Sequence, residues 1–324
     1  MNLEVLWDVL IQTAMGEEWQ LGIMSECSIE KSVKNLAGTA KLILPETQMN
    51  KVIDFEEKIK RGDKIKISLG YKDLIHTAEF EGYIREIVAN GGNLNIECED
   101  ALFLFRKDVK NKEFKMASLR SIAQYLIDEI GENITLECDY GITYEKFTIY
   151  KATAYDVLKK LKEETSADIY FENNTLHIHP AYTRKKGEAD YSPQYNIENF
   201  SLEWKQAIDK KVEVTIEKVG LDGKVESYTT GNPGGDKITK KVSSLDSKSI
   251  KMIADNEYKQ RMTDGYEGSF DAWLFPFVEP SYTVGIYDED YPNRNSRYYV
   301  DSVKTEMSLS GVSRKVQIGI KLSE

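Results

Sequence analysis

Phe80-Glu81-Gly82-Tyr83-Ile84-Arg85-Glu86-Ile87-Val88-Ala89-Asn90-Gly91-Gly92-Asn93-Leu94-Asn95-Ile96-Glu97-Cys98 is the stretch on which the fold turns. Leu94, Ile96 and Cys98 fall on every second position, as in a strand with one face in a core. Between the two arms lies Asn90-Gly91-Gly92-Asn93, whose glycines supply the positive φ angles that a tight hairpin needs. Outward from this hairpin the same period recurs in Thr39 to Pro45 and in Ile65-Ile67-Leu69, the latter entered through the turn Arg61-Gly62-Asp63. Met1 to Met15 is apolar, but it carries Glu4 and Asp8 and no basic leader, so it reads as a first strand rather than a secretory signal. The first third is therefore expected to be a compact antiparallel barrel.

At Ser118 the period changes. Leu119, Ile122, Ala123, Leu126, Ile127 and Ile130 share one helical face, Ser118 is placed to cap it, and Gly131 ends it. A second helix is expected from Thr153, with Asp156 completing a capping box and Ala154, Val157, Leu158 and Leu161 facing inward. Strands flank it at Phe147 to Tyr150, Asp168 to Phe171 and Thr175 to His179, the last two joined by Asn173-Asn174. Residues 111–182 thus read as a small α+β module. Strand patterning returns at Phe200 to Trp204 and Lys211 to Val219, with a turn at Leu221-Asp222-Gly223. Thr229 to Ser249, rich in Gly, Ser, Lys and Asp, reads as a mobile loop. A third helix follows through Ile250, Ile253, Ala254, Tyr258 and Met262, then strands including Tyr298 to Val303 and Val316-Ile318-Ile320-Leu322.

The two ends of the chain echo each other. Tyr83-Ile84 with Ile87, a glycine turn, and Leu94-Ile96-Cys98 correspond to Tyr299-Val300 with Val303, a turn at Gly311, and Val316-Ile318-Ile320. The expected fold is mainly β with an α+β insert: two related antiparallel β-barrel domains, residues 1–110 and 183–324, flanking the module at 111–182, with the mobile loop and third helix inside the last unit. At 324 residues, more than one core is expected.

Composition narrows the functional classes. With 41% hydrophobic and 30% charged residues the chain is an ordinary folded protein, and no stretch reaches the roughly 20 apolar residues of a membrane span. Forty-three basic against 54 acidic residues leave a net charge of −11, which opposes tight binding to a phosphate backbone. Cys27, Cys98 and Cys138 have neither paired nor zinc-finger spacing and are expected as core thiols in a reducing compartment.

Candidate chemistry is sparse. His177 and His179, two apart on a strand, point to one face and are placed to grip a metal, but no third ligand lies near in sequence, so the solvent face of a strand is the preferred reading. Asp288-Glu289-Asp290 is suited to calcium or to glycoside hydrolysis, yet it lacks the glycine-punctuated ligand loop and reads as a solvated hairpin tip. Glu97, Glu99 and Asp100 read as solvated carboxylates at a strand end. Thr230-Gly231-Asn232-Pro233-Gly234-Gly235 lacks the Gly-Lys-Ser/Thr ending of a phosphate loop. Tyr282, Tyr287, Tyr291, Tyr298 and Tyr299, near Trp273, Phe275 and Phe277, suit a core, a subunit interface or a sugar-stacking surface. No catalytic, cofactor-binding or metal-binding residue is assigned, no cofactor is expected, and an enzyme is not.

Phe55-Glu56-Glu57-Lys58-Ile59-Lys60-Arg61-Gly62-Asp63-Lys64-Ile65-Lys66-Ile67, then Phe80-Glu81-Gly82-Tyr83-Ile84, then Leu94 to Asp100 with Leu104, resembles the first barrel of phage tail and baseplate hub proteins. That family includes the T4-like baseplate hub, the late control protein D group, the Mu-type tail protein and the amino-terminal region of the VgrG spike. The order of parts continues the likeness: a helix–strand module, the strand Leu202-Glu203-Trp204, a loop, a helix and a closing barrel. The resemblance implies a homotrimeric ring joining tail tube to central spike, in a virion tail assembled in the host cytoplasm. It also implies a lumen through which DNA passes without specific binding. It transfers no catalytic residue, and the sequence contains no lysozyme or peptidase segment. A carbohydrate-binding or carbohydrate-active tail protein and a type VI secretion-like spike subunit stay open as alternatives. Thr229 to Ser249 and Gly285 to Ser296 are the loops expected to touch tube or spike.

Overall fold

The computed structural model describes residues 4–45, 58–90, 92–206, 211–220 and 223–322. The expectations at Phe55 to Glu57, Gly91, and Leu221 and Asp222 lie outside the described residues.

Strands dominate. The first group is β1 (Val5–Gln12), β2 (Glu18–Gln20), β3 (Glu26–Ser32), β4 (Thr39–Pro45), β5 (Lys64–Tyr71), β6 (Ile75–Asn90) and β7 (Asn93–Glu99). β8 (Lys112–Ser118), β9 (Thr135–Cys138), β10 (Thr143–Ile149), β11 (Ala167–Glu172) and β12 (Thr175–Pro180) follow, interleaved with helices α1 (Leu119–Ile130) and α2 (Ala154–Thr165). Then come β13 (Glu188–Tyr191), β14 (Ile197–Lys205), β15 (Val212–Val219), β16 (Val225–Gly231), β17 (Asp236–Val242) and α3 (Ser247–Arg261). The chain closes with β18 (Gly265–Ala272), β19 (Thr283–Ile286), β20 (Ser296–Ser308) and β21 (Gly311–Lys321).

The helices form where their caps and apolar stripes place them. The Ser118 side chain accepts the Ser121 amide, and Gly131 stops α1 at φ 73°, a left-handed conformation that costs glycine little. At α2, Thr153 and Asp156 close a reciprocal capping box. Between β11 and β12, Asn173 takes φ 51° in the tight turn.

One sheet of 13 strands spans both ends of the chain. Its path runs β14-β18-β21-β20-β3-β4-β7-β6-β5-β1-β2, with β19 pairing β20 and β13 pairing β19. Two half-sheets with the same connectivity are visible in it. β3-β4-β7-β6-β5-β1 in the first half matches β14-β18-β21-β20-β19-β13 in the second. The echo between the hairpins extends to their irregularities. β6 against β7 slips register between Ile84 and Glu86, and β20 against β21 slips between Val300 and Ser302, with a further slip just before it. Ile84 opposes Cys98 as Val300 opposes Ile318, and Ile87 opposes Ile96 as Val303 opposes Val316. A bulge at one equivalent position in both hairpins is a far narrower match than shared alternation, because each bulge bends its strand at a fixed place. The halves differ at the outer strand: β1 is antiparallel to β5, whereas β13 is parallel to β19.

Among the described residues no sheet closes on itself, so each expected barrel is present as an arm of an open sheet. The reason lies in β20, whose first half pairs with β19 and whose second half pairs with β3 of the other arm. That seam is reinforced by Arg314, fully buried, which donates to the Leu274 carbonyl at 2.9 Å and pairs with Glu79 on β6.

The expectation of a mobile loop from Thr229 to Ser249 is corrected by the structure. The segment holds the end of β16, all of β17 and the start of α3. β15 lies between antiparallel β16 and parallel β17, and Val214 and Ile216 are buried in the core that α1 and α2 share with α3. The patterning is weak because β17 buries fully only Val242, with Ile238 and Lys240 half-buried on the same face and Lys237, Thr239 and Lys241 exposed on the other.

Candidate assembly surface

β14 is the last strand of the long sheet. It bonds to β18 from Ile197 to Lys205, and among the described residues its other edge has no strand beside it. Its inner face is apolar: Leu202 and Trp204 pack on the core of the second half, and Trp204 meets Tyr266 edge to face. Phe200 is 48% exposed.

A second edge without a partner strand among the described residues lies on β6. That strand has 16 residues against eight in β5, and β5 covers it only from Ile75 to Tyr83. From Glu86 to Asn90 it bonds, among the described residues, to β7 alone. Val88 is 42% exposed there, and Glu86 is exposed beside it. The equivalent segment of β20 is not free, since Ser302 to Met307 pairs with β3. An unpaired row of N–H and C=O groups is a template for another strand, and natural proteins commonly block such edges. Here the second half has its β20 position filled by β3, while among the described residues the matching β6 position has no second strand beside it.

The acidic group at the end of β7 departs from expectation. Glu99 and Asp100 are buried rather than solvated. Glu99 takes a two-point contact from Arg106 through Nε and NH2, both at 2.6 Å, the geometry in which the guanidinium fork matches a carboxylate. Asp100 accepts the amides of Gly38 and Leu102, at 2.5 and 2.9 Å, and caps the short 3-10 turn Ala101–Phe105. Burial raises its carboxyl to about 7, against the lowering effect of those two amides. Glu97 stays at the surface, paired with Arg85.

His177 and His179 are also buried, not on a solvent face. β9 runs parallel to β12 and sets Glu137 directly beside His177, with Asp139 just beyond its end. Tyr170 stacks on His177 at 5.1 Å between ring centroids. No sequence spacing could reveal this, because β9 and β12 meet only through tertiary pairing. Desolvation, helped by the Arg184 guanidinium, lowers His177 to about 4 despite its carboxylate neighbours.

At the 288–290 tip, Asp288 is buried and accepts from Gln194 Nε2 at 3.1 Å and from the Asp290 amide at 2.9 Å, and its own amide donates to Asn295. The tip is thus held to the 192–196 turn. Tyr298 and Tyr299 are core residues, whereas Trp273, Phe275, Tyr287 and Tyr291 are exposed. Cys27, Cys98 and Cys138 are free and buried, and burial pushes the Cys27 thiol up to about 12. A cleft of about 390 Å³ lies where β3, β6 and β11 meet the 277–280 turn. Its charges answer one another: Lys31 pairs with Glu279 at 2.6 Å, and Lys186 bridges Glu279 and Glu172. No described helix is long and apolar enough to cross a membrane.

The duplicated half-sheets with the α+β module between them form a fold shared by phage tail proteins and a component of the type VI secretion system. The 43 kDa tail protein of prophage MuSo2 from Shewanella oneidensis superposes with a TM-score of 0.66 at 13% identity, over 96% of each chain. A tail protein from Neisseria meningitidis MC58 does so with a TM-score of 0.68 at 12% identity, over 98% of this chain and 97% of that one. The Escherichia coli c3393 protein, described as a type VI secretion component similar to T4 gp27 and gp5, gives 0.59 at 8% identity over 100% and 78%. No protein-family model and no curated protein sequence matches the chain.

Proposed function

We propose that this protein is a structural hub subunit of a phage tail or phage-derived injection machine, acting as a homotrimeric ring between tail tube and spike. The observation that carries this reading is the pair of open edges. Inside one chain, β3 of the first half pairs with β20 of the second. The same rule applied to the equivalent strands sets β14 of one copy against the free half of β6 in the next. Ser302 opposite Ser32 becomes Glu86 opposite Lys205, Val303 opposite Lys31 becomes Ile87 opposite Trp204, and Thr305 opposite Ile29 becomes Ala89 opposite Leu202. The derived register places an acidic side chain against a basic one and apolar against apolar. Seams within and between copies then alternate around a closed ring, a head-to-tail interface that ends only when the rotation closes. Three copies give six similar half-sheets, a surface suited to a sixfold tube on one side and a threefold spike on the other. Barrel closure, not seen among the described residues of one chain, is completed by neighbouring copies in this reading.

The chain divides accordingly into the half-sheets of 1–110 and 183–324 and the module of 111–182, with 211–261 packing onto the module. The ring is non-enzymatic, resides in the virion tail and has no cofactor for its assembly. The net charge of −11 suits a lumen that DNA traverses without sticking. The turn at 287–295 is a candidate contact for tube or spike.

A chain carrying Ala89→Cys and Leu202→Cys tests the register, since the native thiols are buried. Mild oxidation is expected to give a covalent ladder ending at three chains, and either single variant to give none. Absence of cross-links in a preparation that light scattering shows to be trimeric would reject the register. A stable monomer in the presence of its tube and spike partners would reject the ring. The likeness to c3393 favours a second reading, a type VI-like spike subunit with the same ring, distinguished by whether toxin genes or capsid genes lie beside its own.

A further inference from the structure

We propose that Glu137, His177 and His179 form a binding site for a transition-metal dication of the zinc class, on the face of the sheet β11-β12-β9. Residues two apart on β12 send both imidazoles to one side, and the parallel register of β9 brings Glu137 alongside. His177 Nδ1 lies 3.3 Å from His179 Nε2 and 3.1 Å from Glu137 Oε2, and the three ligand atoms fall within 4.8 Å of one another. Ligands at 2.0–2.1 Å from a tetrahedral ion stand about 3.3 Å apart, so two of the three separations already have the spacing of a coordination shell. Rotation of the Glu137 carboxylate, whose side chain is 52% exposed, adjusts the third and leaves the remaining position to water.

The surrounding shell supports the same ion. Asp139 Oδ1 lies 2.6 Å from His179 Nδ1, so the proton of that ring is held on Nδ1 and the lone pair of Nε2 turns toward the site. Carboxylates in this position orient metal-binding imidazoles and raise their basicity. Both rings are buried, His177 stacked on Tyr170 and His179 held by Asp139, which fixes their orientation before any ion arrives. Without metal, one proton on His177 Nδ1 satisfies the pair. Binding shifts His177 to the tautomer with its proton on Nε2, which lies 3.7 Å from Glu172 Oε2, so the ring stays neutral with the Nδ1 lone pair on the ion and β9 is joined to β12 through it. Arg184 Nε stands 3.8 Å from Glu137 Oε2 and opposes the cation, which sets the affinity below that of a closed four-ligand site. Imidazole and carboxylate donors select zinc, cobalt or nickel over magnesium and calcium.

The test uses the full chain, stripped with EDTA and titrated by calorimetry with Zn²⁺, with Co²⁺ as the optical probe. One equivalent of Zn²⁺ is expected to bind, to raise Tm reversibly to EDTA, and to displace Co²⁺ together with its visible ligand-field bands. Glu137→Gln and His179→Gln are expected to lose binding at least tenfold. Asp139→Asn, which touches no metal, is expected to weaken affinity 10–100-fold. Glu137 is half-exposed, so its variant keeps the experiment informative even where the histidine variant fails to fold. No Zn²⁺ binding by the stripped wild type up to 1 mM, or equal binding by Glu137→Gln, overturns the site.

Discussion

At Arg314 a full charge sits out of solvent between the two half-sheets. Its guanidinium meets Glu79, the Leu274 carbonyl and the face of Phe277, the last at 5.1 Å. Removing one member of such a pair leaves the other charge buried and unanswered, so Arg314→Ala is expected to cost about 3–5 kcal/mol in denaturant unfolding. Arg314→Lys keeps the charge but not the fork and recovers only part of the loss. Asp100 gives a pH signature. Its folded-state pKa, near 7, lies above the ordinary carboxyl value, so the stability it contributes is fully present below about pH 4 and is lost as pH rises to 7. The stability difference between wild type and Asp100→Asn should therefore shrink across that window, by a ceiling on the order of 4 kcal/mol, and stay level above it. A difference that is flat from pH 4 to 8 would show that Asp100 is ionised throughout.

Elements divide sharply in how far the sequence revealed them. The capped helices α1 and α2, and strands such as β4, stand where periodicity and caps put them, because their signals are local. β17 escaped notice because a strand with one fully buried side chain has almost no period to read. The buried histidines escaped too, because their partners Glu137 and Asp139 arrive from a parallel strand with no fixed sequence distance. The free half of β6 carries no local signal in the sequence; only the structure shows a strand of 16 residues answered by eight in β5. That segment supplies a prediction at its own scale. Glu86→Lys is expected to weaken self-association measured by sedimentation at low salt, by repelling Lys205 across the proposed seam. Adding Lys205→Glu is expected to restore it. Failure of the paired exchange to recover association would separate Glu86 from the interface.

The whole molecule is stitched at several levels, although each half-sheet has its own core. β3 and β20 share a backbone ladder, and Leu274 and Met307 of the second half lie in the first core. The module is tied in as well: Lys34 on the first half reaches Asp168 at 3.1 Å, and Lys162 donates to the Val33 carbonyl at 2.8 Å. Chains of this length often unfold in steps, one core at a time. Here no half-sheet can open without breaking the β3–β20 ladder and stranding Arg314. The dilute chain is therefore expected to unfold in a single calorimetric transition, with van't Hoff and calorimetric enthalpies in agreement. Arg314→Ala with Glu79→Ala, which cuts the buried tie but not the ladder, is expected to split that transition in two. Two transitions already present in the wild type would mean that the halves are coupled only through the ring, and that the seam within one chain is no stronger than the seam between copies.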